Sequence, residues 1–440
     1  MSYERKLIIK HSFASVIALA VFGSTRFIYS VVVSRKYGVG ALGSANSLIS
    51  QAFLLAIPLS FFAVALGKYS SEFLGRGDAE KIKSIASISF LFPFLGLFLV
   101  PLNIYMGLIS VFRALQLTVR NFFYGVHRGE IYAYVVILGF VAFLVGFMVA
   151  NVYLPYILFL GLISIVTFGY LIKKRLIGKP AVNDIKLLTS YSFFAFLGTL
   201  SGVFLIQGPY FLSEKFGSAE IAGRVSASLS AAFLLTYLPQ ILQSAIMPLY
   251  SYKYGQNKME YVKNLSELLT ESLILITAVI VFSLLLFGRE LLSFFFGFSL
   301  GEEFYIALIA VEIYIAYNPS IVALNSTKYV KIGSLIALAG AVVSLVSWTF
   351  LIPLFGEYGT MIALFLGYLT ILLETAYISM KKLGVPPSVY KPLLVAVVFQ
   401  SFVFISKIAL VAGFIIFLLF SKRKIRKFLS FIKFFHGRGS

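Results

Sequence analysis

Residues 34–83 read SRKYGVGALGSANSLISQAFLLAIPLSFFAVALGKYSSEFLGRGDAEKIK, and residues 213–263 read SEKFGSAEIAGRVSASLSAAFLLTYLPQILQSAIMPLYSYKYGQNKMEYVK. Lys36, Tyr37 and Gly38 match Lys215, Phe216 and Gly217, and Phe53, Leu54 and Leu55 match Phe233, Leu234 and Leu235. Pro58 matches Pro239, Gly75 matches Gly255, and Glu80 and Lys83 match Glu260 and Lys263. Apolar helices resemble one another by chance, but here the polar ends of the segments match as well. The chain therefore repeats itself at an offset of about 180 residues. Six membrane helices fit within that offset. Six is even, so both copies insert the same way up, as parallel repeats about an axis along the membrane normal.

The rest of the sequence supports a membrane setting. Of 440 residues, 60% are hydrophobic and 12% charged, against about 45–50% and about 25% in soluble domains. A water-soluble fold of this composition would expose much of its apolar surface. In lipid, the outside of a protein can be as apolar as its inside. The fold class is an all-α polytopic integral membrane protein.

A span needs about 20 mostly apolar residues. Runs of that kind lie near 12–34, 43–66, 84–103, 104–123, 131–151, 153–172, 188–212, 222–248, 266–288, 303–324, 331–352 and 358–380. The first follows Arg5, Lys6 and Lys10, as a signal peptide would, but it is too long for a signal core and lacks a small-residue cleavage site. The organisation expected is a six-helix lobe at 1–172, a basic cytoplasmic linker at 173–187, a second six-helix lobe at 188–380, and a C-terminal segment at 381–440. The gaps are too short for a separate soluble domain.

Lysine and arginine orient such a chain. One set of gaps carries Lys68, Arg76, Lys81 and Lys83, then Arg120 and Arg128, then Lys173, Lys174, Arg175, Lys179 and Lys186, and continues to Lys381, Lys382 and Lys391. The alternate gaps hold few basic residues, Arg35, Lys36, Lys215 and Arg289, and carry Glu214, Glu220, Glu290, Glu302, Glu303 and Glu357 instead. Both termini are thus expected in the cytoplasm of a cell-membrane protein. The tail holds Lys422, Arg423, Lys424, Arg426, Lys427 and Lys433, so an even number of crossings must follow residue 391. Residues 392–420 are read as two short helices turning near Ser406 and Lys407, about fourteen in all, with a re-entrant hairpin as the alternative.

Composition also excludes several chemistries. There is no cysteine, hence no disulfide, thiolate metal site or cysteine nucleophile. His11, His127 and His436 are too scattered for a metal site, and nothing calls for a cofactor. The net charge of +20 sits between apolar runs, so anionic lipid headgroups explain it better than nucleic acid.

The stretches RKYGVGALGSANSL (35–48), LPQILQSAIMPLYSYKYGQNKMEYVK (238–263) and LIPLFGEYGTMIAL (351–364) carry a family likeness. Over nearly its whole length the chain resembles the polysaccharide-unit flippases of the multidrug/oligosaccharidyl-lipid/polysaccharide exporter superfamily. That resemblance implies two six-helix lobes around a V-shaped cavity, often with two further C-terminal helices. It implies alternating-access passage of an undecaprenyl- or dolichyl-linked oligosaccharide to the outer leaflet, beside a glycan polymerase or glycosyltransferases. The short final pair departs from the family's usual length.

Ionisable groups at membrane depth are costly and normally face the bundle interior or a wet cavity. Arg26, Arg113, Glu312 and Glu374 qualify, and Arg224 less so, being near a helix end. Ser12, Ser15, Gly23, Arg26 and Ser30 fall on one helical face, a polar stripe fit for a cavity wall. The repeat places Gln207 where the first half has Arg26, so the lobes are chemically unequal. Arg113 has Gln116 beside it on its helix. Guanidinium groups pair with phosphate oxygens and stay charged when partly dehydrated, so Arg26 and Arg113 are expected to bind the phosphate or pyrophosphate of a lipid-linked sugar. The plainer alternative is internal pairing that holds helices together. Glu312 is the candidate for ion coupling, whereas snorkelling accounts for Glu374. Asn46, Gln51, Gln207, Gln240, Gln243, Asn318 and Asn325 could meet sugar hydroxyls, though such residues more often bridge helices. A drug/cation antiporter of the same superfamily is the alternative. It would want an acid where the first helix has Arg26, but Glu312 keeps it open. A polytopic glycosyltransferase would need acids on a sizeable outer loop, and the loops here are short, so no catalytic residues are assigned.

Overall fold

The computed structural model describes residues 3–436, and it is helical throughout, with no strand among them. The helices are α1 (Tyr3–Tyr37), α2 (Val39–Leu59), α3 (Ala63–Arg76), α4 (Ala79–Leu91), α5 (Ile104–Gly125), α6 (Gly129–Gly146), α7 (Leu154–Lys173) and α8 (Val182–Phe216). They continue as α9 (Ala219–Ala232), α10 (Tyr237–Gly255), α11 (Met259–Phe296), α12 (Glu303–Asn325), α13 (Val330–Leu383), α14 (Lys391–Gln400) and α15 (Lys407–His436).

Eleven stretches among the described residues are long and apolar enough to cross a membrane. One of them, α13, is two helices joined without a loop at Gly356, whose φ of 56° only glycine adopts readily. Adding α5, which carries Arg113 and Arg120, and α15 gives fourteen membrane-length rods. Phe98, Met148 and Ile408 are each 80% or more exposed, a surface suited to acyl chains and not to water. The turn expected near Ser406 and Lys407 is present: a 3₁₀ turn (Ser401–Phe404) ends the α14 rod and α15 starts at Lys407. The linker is shorter than expected, because α8 begins at Val182.

Packing divides the chain into two compact units, Met1–Ser226 and Ala227–Ser440. In the first, α8 lies along α2. Helix α9 comes closest to α2, and the approach is reciprocal between repeat-related glycines. A Cβ on Gly43 would stand 1.8 Å from the Ala219 carbonyl oxygen, and one on Gly223 would stand 2.0 Å from that of Val39. Only hydrogen fits at either place.

The linker is stitched to α4. Ser84 Oγ donates to Asp184 Oδ2 at 2.6 Å and accepts from the Ala181 amide at 3.0 Å. Ser87 Oγ donates to the Gly178 carbonyl at 2.7 Å and accepts from its amide at 3.0 Å.

Three helix turns share one sequence device. Gly75-Arg76-Gly77-Asp78-Ala79-Glu80, Gly125-Val126-His127-Arg128-Gly129-Glu130 and Gly255-Gln256-Asn257-Lys258-Met259-Glu260 each place their third residue at positive φ: 74° for Gly77, 57° for His127 and 59° for Asn257. The amide after each bonds back to the helix, Asp78 to Phe73, Arg128 to Phe123 and Lys258 to Lys253, the 6→1 closure of a Schellman cap. The rods after α1 and α8 are also both interrupted, at Ser60–Phe62 just past Pro58 and in a 3₁₀ turn (Phe233–Thr236) just before Pro239. Proline removes one ladder bond and crowds the preceding turn.

In the second unit the two limbs of α13 pack through small residues. A Cβ on Gly367 would meet Ser344 Oγ at 1.8 Å, one on Gly359 the Leu351 carbonyl at 2.0 Å, and Trp348 Nε1 donates to the Thr360 carbonyl at 3.0 Å. Helix α15 runs along α11, with Phe282 against Phe414 and Phe417. It is tied there by two ion pairs, Lys407–Glu290 at 2.7 Å and Lys424–Glu271 at 2.5 Å.

Candidate functional site: a basic pair in the first unit

Arg26 lies mid-span, in the stretch Val16–Tyr37. Its Nη2 donates to Ser50 Oγ of α2 at 3.0 Å, and its guanidinium carbon stands 4.1 Å from the ring centre of Tyr210 on α8. Nε and Nη1 are buried with no hydrogen-bond partner, and no carboxylate pairs with Arg26 among the described residues. A charge at this depth costs about 2.5–3.5 kcal/mol. The Ser50 hydroxyl and the Tyr210 ring offset much of that, and the Tyr156 and Tyr210 hydroxyls also act on the group.

Arg113 sits close by. Its guanidinium lies 5.3 Å from the ring of Phe22, one turn from Arg26 on α1, and 4.6 Å from that of Phe53, one turn from Ser50 on α2. Both arginines thus lie along the α1–α2 seam. Tyr156 of α7 packs edge-on against Phe53 at 5.7 Å and interacts electrostatically with both guanidiniums. Arg113 Nη1 also donates to Gln116 Oε1 at 2.7 Å, and the buried Gln116 amide donates to the Tyr132 hydroxyl. The pairing of Arg113 with Gln116 is the one its spacing indicates.

The stripe on α1 is partly described. Gly23 and Ser30 are buried, while Ser12 and Ser15 lie outside the described side chains. Asn46 is fully buried and donates to Ser30 Oγ at 3.4 Å, bridging α1 and α2. Gln51 is exposed and donates to Ser47 Oγ at 3.3 Å on its own helix. Gln207 is part-buried one turn before Tyr210, and its Oε1 has no partner. Arg26, Arg113, Ser50, Tyr156, Tyr210 and Gln207 therefore form one basic, hydroxyl-bearing and aromatic neighbourhood. Arg224 is paired with Glu220 at 3.5 Å and stands apart from it.

The other sequence-indicated residues lie in the second unit. Gln243 and Asn318 line a narrow crevice with Pro239, Tyr250, Leu269 and Pro319. Gln240 instead donates to Thr236 Oγ1 at 3.5 Å on its own rod. Asn325 lies in the α12–α13 turn, its Oδ1 over Gly333. Glu374 is part-buried. Glu312 is fully buried, neither carboxylate oxygen has a hydrogen-bond partner, and the Gln400 side chain of α14 lies against it. Sequence reasoning did not single out Ser50, Tyr156, Tyr210 or Gln400. For the first three no local pattern marks the contact. Gln400 carried a signal, as a lone amide inside an apolar run.

Among the described residues no group of histidines and carboxylates could hold a metal ion. No protein-family model matches the sequence, nor does any curated protein. Solved structures do match in fold. A multidrug resistance MATE family transporter of the MOP superfamily in its inward-facing conformation aligns at TM-score 0.64 and 12% identity, over 86% of this chain and 99% of that one. The outward-facing conformation of such a transporter aligns at 0.59 and 13%, over 89% and 98%. A MOP superfamily transporter from Pyrococcus furiosus, described as having a binding pocket of reverse polarity that suggests a different function, aligns at 0.59 and 13%, over 86% and 96%. The fold is that of the MATE transporters. These structural neighbours are transporters, not enzymes.

Proposed function

We propose that the protein is a flippase that moves a lipid-linked oligosaccharide, a sugar on a polyprenyl phosphate or pyrophosphate, from the cytoplasmic to the outer leaflet by alternating access. The observation that carries this reading is Arg26: a mid-membrane guanidinium with two unpartnered nitrogens and no acid beside it. Arg113 shares the neighbourhood of Tyr156 with it, and both are flanked by aromatic rings. Phosphate oxygens satisfy such groups in paired, charge-assisted bonds. The rings of Tyr156 and Tyr210 suit the apolar faces of sugars or the first prenyl units. The fold's occurrence in inward- and outward-facing forms supports alternating access. A neighbour described as having a pocket of reverse polarity supports a change of cargo charge within this fold.

The test is reconstitution. Proteoliposomes carrying a fluorescent polyprenyl-diphosphate sugar in the inner-facing leaflet should translocate it, and Arg26→Ala should abolish translocation while inserting normally. Unchanged translocation by Arg26→Ala would remove phosphate binding as the basis of the function. A second reading, a drug/cation antiporter, rests on the unpartnered carboxylate of Glu312. Uptake of an organic cation driven by a proton or sodium gradient, lost in Glu312→Gln, would favour it.

A further inference from the structure

Helix α14 docks on α12 in antiparallel fashion at three places. At one end the Tyr390 hydroxyl, on the 3₁₀ turn before α14, donates to Ser320 Oγ at 2.9 Å. At the other, Phe404 packs against Tyr305 at 6.1 Å between ring centres. Between them Glu312 meets Gln400. Both residues are fully buried, and four polar atoms, both carboxylate oxygens and both amide heteroatoms, have no hydrogen-bond partner.

Helices α10, α11, α13 and α14 all pack on α12. Burial and Gln400 are the influences acting on the Glu312 carboxyl. No lysine, arginine, histidine, tyrosine or second carboxylate on those four helices does so among the described residues. The nearest tyrosines along α12, Tyr314 and Tyr317, turn toward Tyr368 at 5.4 and 6.4 Å. An ionised carboxylate here would have no counter-charge and, being fully buried, no contact with bulk solvent. A neutral acid is complementary to the amide: its O–H donates to Gln400 Oε1, and its carbonyl accepts from Gln400 Nε2.

We propose that Glu312 and Gln400 form a proton-binding site shared between α12 and the C-terminal helix pair, occupied while α14 is docked and emptied when it loosens. Losing the proton leaves a charge that the dry contact cannot solvate, so α14 must yield enough for water to enter. The helix pair is thereby a proton-linked element and not merely an appended anchor. The site does not depend on which cargo is carried. Its use to drive transport rests on the transporter reading above.

The chain has no cysteine, so one introduced thiol reports one place. Ala396 is fully buried on α14, one turn before Gln400, and Leu394 is 60% exposed. The full-length protein in liposomes is labelled with a small permeant maleimide at Ala396→Cys and, separately, at Leu394→Cys. The ratio of the two rates removes the pH dependence that the two thiols share. The ratio should be low in acid and rise with pH by up to about tenfold per unit before levelling, the slope of one ionising group. Adding Glu312→Gln should hold it low at every pH. A pH-independent ratio in the parent protein, the same rise in Glu312→Gln, or a ratio that follows sodium at fixed pH overturns the proposal. Infrared difference spectra without any cysteine provide a second measurement. A protonated-carboxyl band should titrate in parallel with the ratio and move in Gln400→Leu, and an unmoved band overturns the pairing. No cargo is present in either measurement, so a failure here is separable from a failure of the flippase reading.

Discussion

Replacing Arg26 with glutamine separates a binding role from a structural one. The change removes the bond to Ser50 and the contact with Tyr210. A hydrogen bond to a charged group contributes about 1.5–3 kcal/mol, and a cation–π contact about 0.5–2 kcal/mol. Against that, the variant no longer carries a charge at membrane depth, which costs about 2.5–3.5 kcal/mol. The terms nearly cancel, so the unfolding midpoint should shift by only a few degrees. Phosphate affinity should behave differently. Two charge-assisted bonds from Nε and Nη1 are worth about 3–6 kcal/mol, so binding of a diphosphate-headed lipid should weaken about 10²- to 10⁴-fold. Arg26→Lys should fall between, because a point charge keeps the attraction and loses the fork. The assay is titration of a short-chain polyprenyl diphosphate into protein in nanodiscs, with a neutral prenyl alcohol as control and thermal unfolding in parallel. A large loss of stability with unchanged diphosphate affinity would refute the reasoning and make Arg26 a helix tie.

Other substitutions test other features. Gly43→Leu and Gly223→Leu each drive a side chain into a backbone carbonyl, so each should lower the unfolding midpoint by several degrees, while Gly40→Leu, where a Cβ meets nothing within 4 Å, should not. Ser84→Ala with Ser87→Ala removes four linker bonds of about 1 kcal/mol each, and trypsin should then cut at Lys173, Lys174 or Arg175 at least tenfold faster; an unchanged digestion pattern would show that the linker is held by other contacts. At Asn257, whose φ is 59°, glycine should be neutral or mildly stabilising and valine should cost about 1–2 kcal/mol in chemical unfolding.

The sequence showed the architecture well because lipid makes it a one-dimensional problem: each rod must be apolar for its whole length, and the turns must be polar. Charge parity called for an even number of crossings after Lys391, and the polar Ser406 and Lys407 inside the apolar run marked the turn. The 3₁₀ turn before Pro239 and the break after Pro58 were visible only as prolines, because helices in bundles often carry proline without breaking. The site was half legible. Arg26 and Arg113 stand out by the cost of their charge, and Gln116 by its spacing, but their partners Ser50, Tyr156 and Tyr210 are ordinary residues brought near by helix packing. Asn46 looked equally suited to a cavity; its Nδ2 reaches Ser30 while its buried Oδ1 has no hydrogen-bond partner. Gly43 and Gly223 lie inside the repeat, yet their reciprocity emerges only when α2 and α9 are seen in contact.

The two ion pairs along α11 and α15 measure a length. Glu271 and Glu290 are about 28 Å apart on α11 at 1.5 Å per residue, and Lys407 and Lys424 about 26 Å apart on α15. Charged pairs belong at headgroup depth, and a typical hydrocarbon core is about 30 Å thick. The second unit therefore carries a built-in gauge set slightly below that thickness. In a thicker bilayer it would draw one pair into the acyl region, and the cheapest relief is for the surrounding lipid to thin. The host membrane should accordingly favour short or disordered chains around this protein.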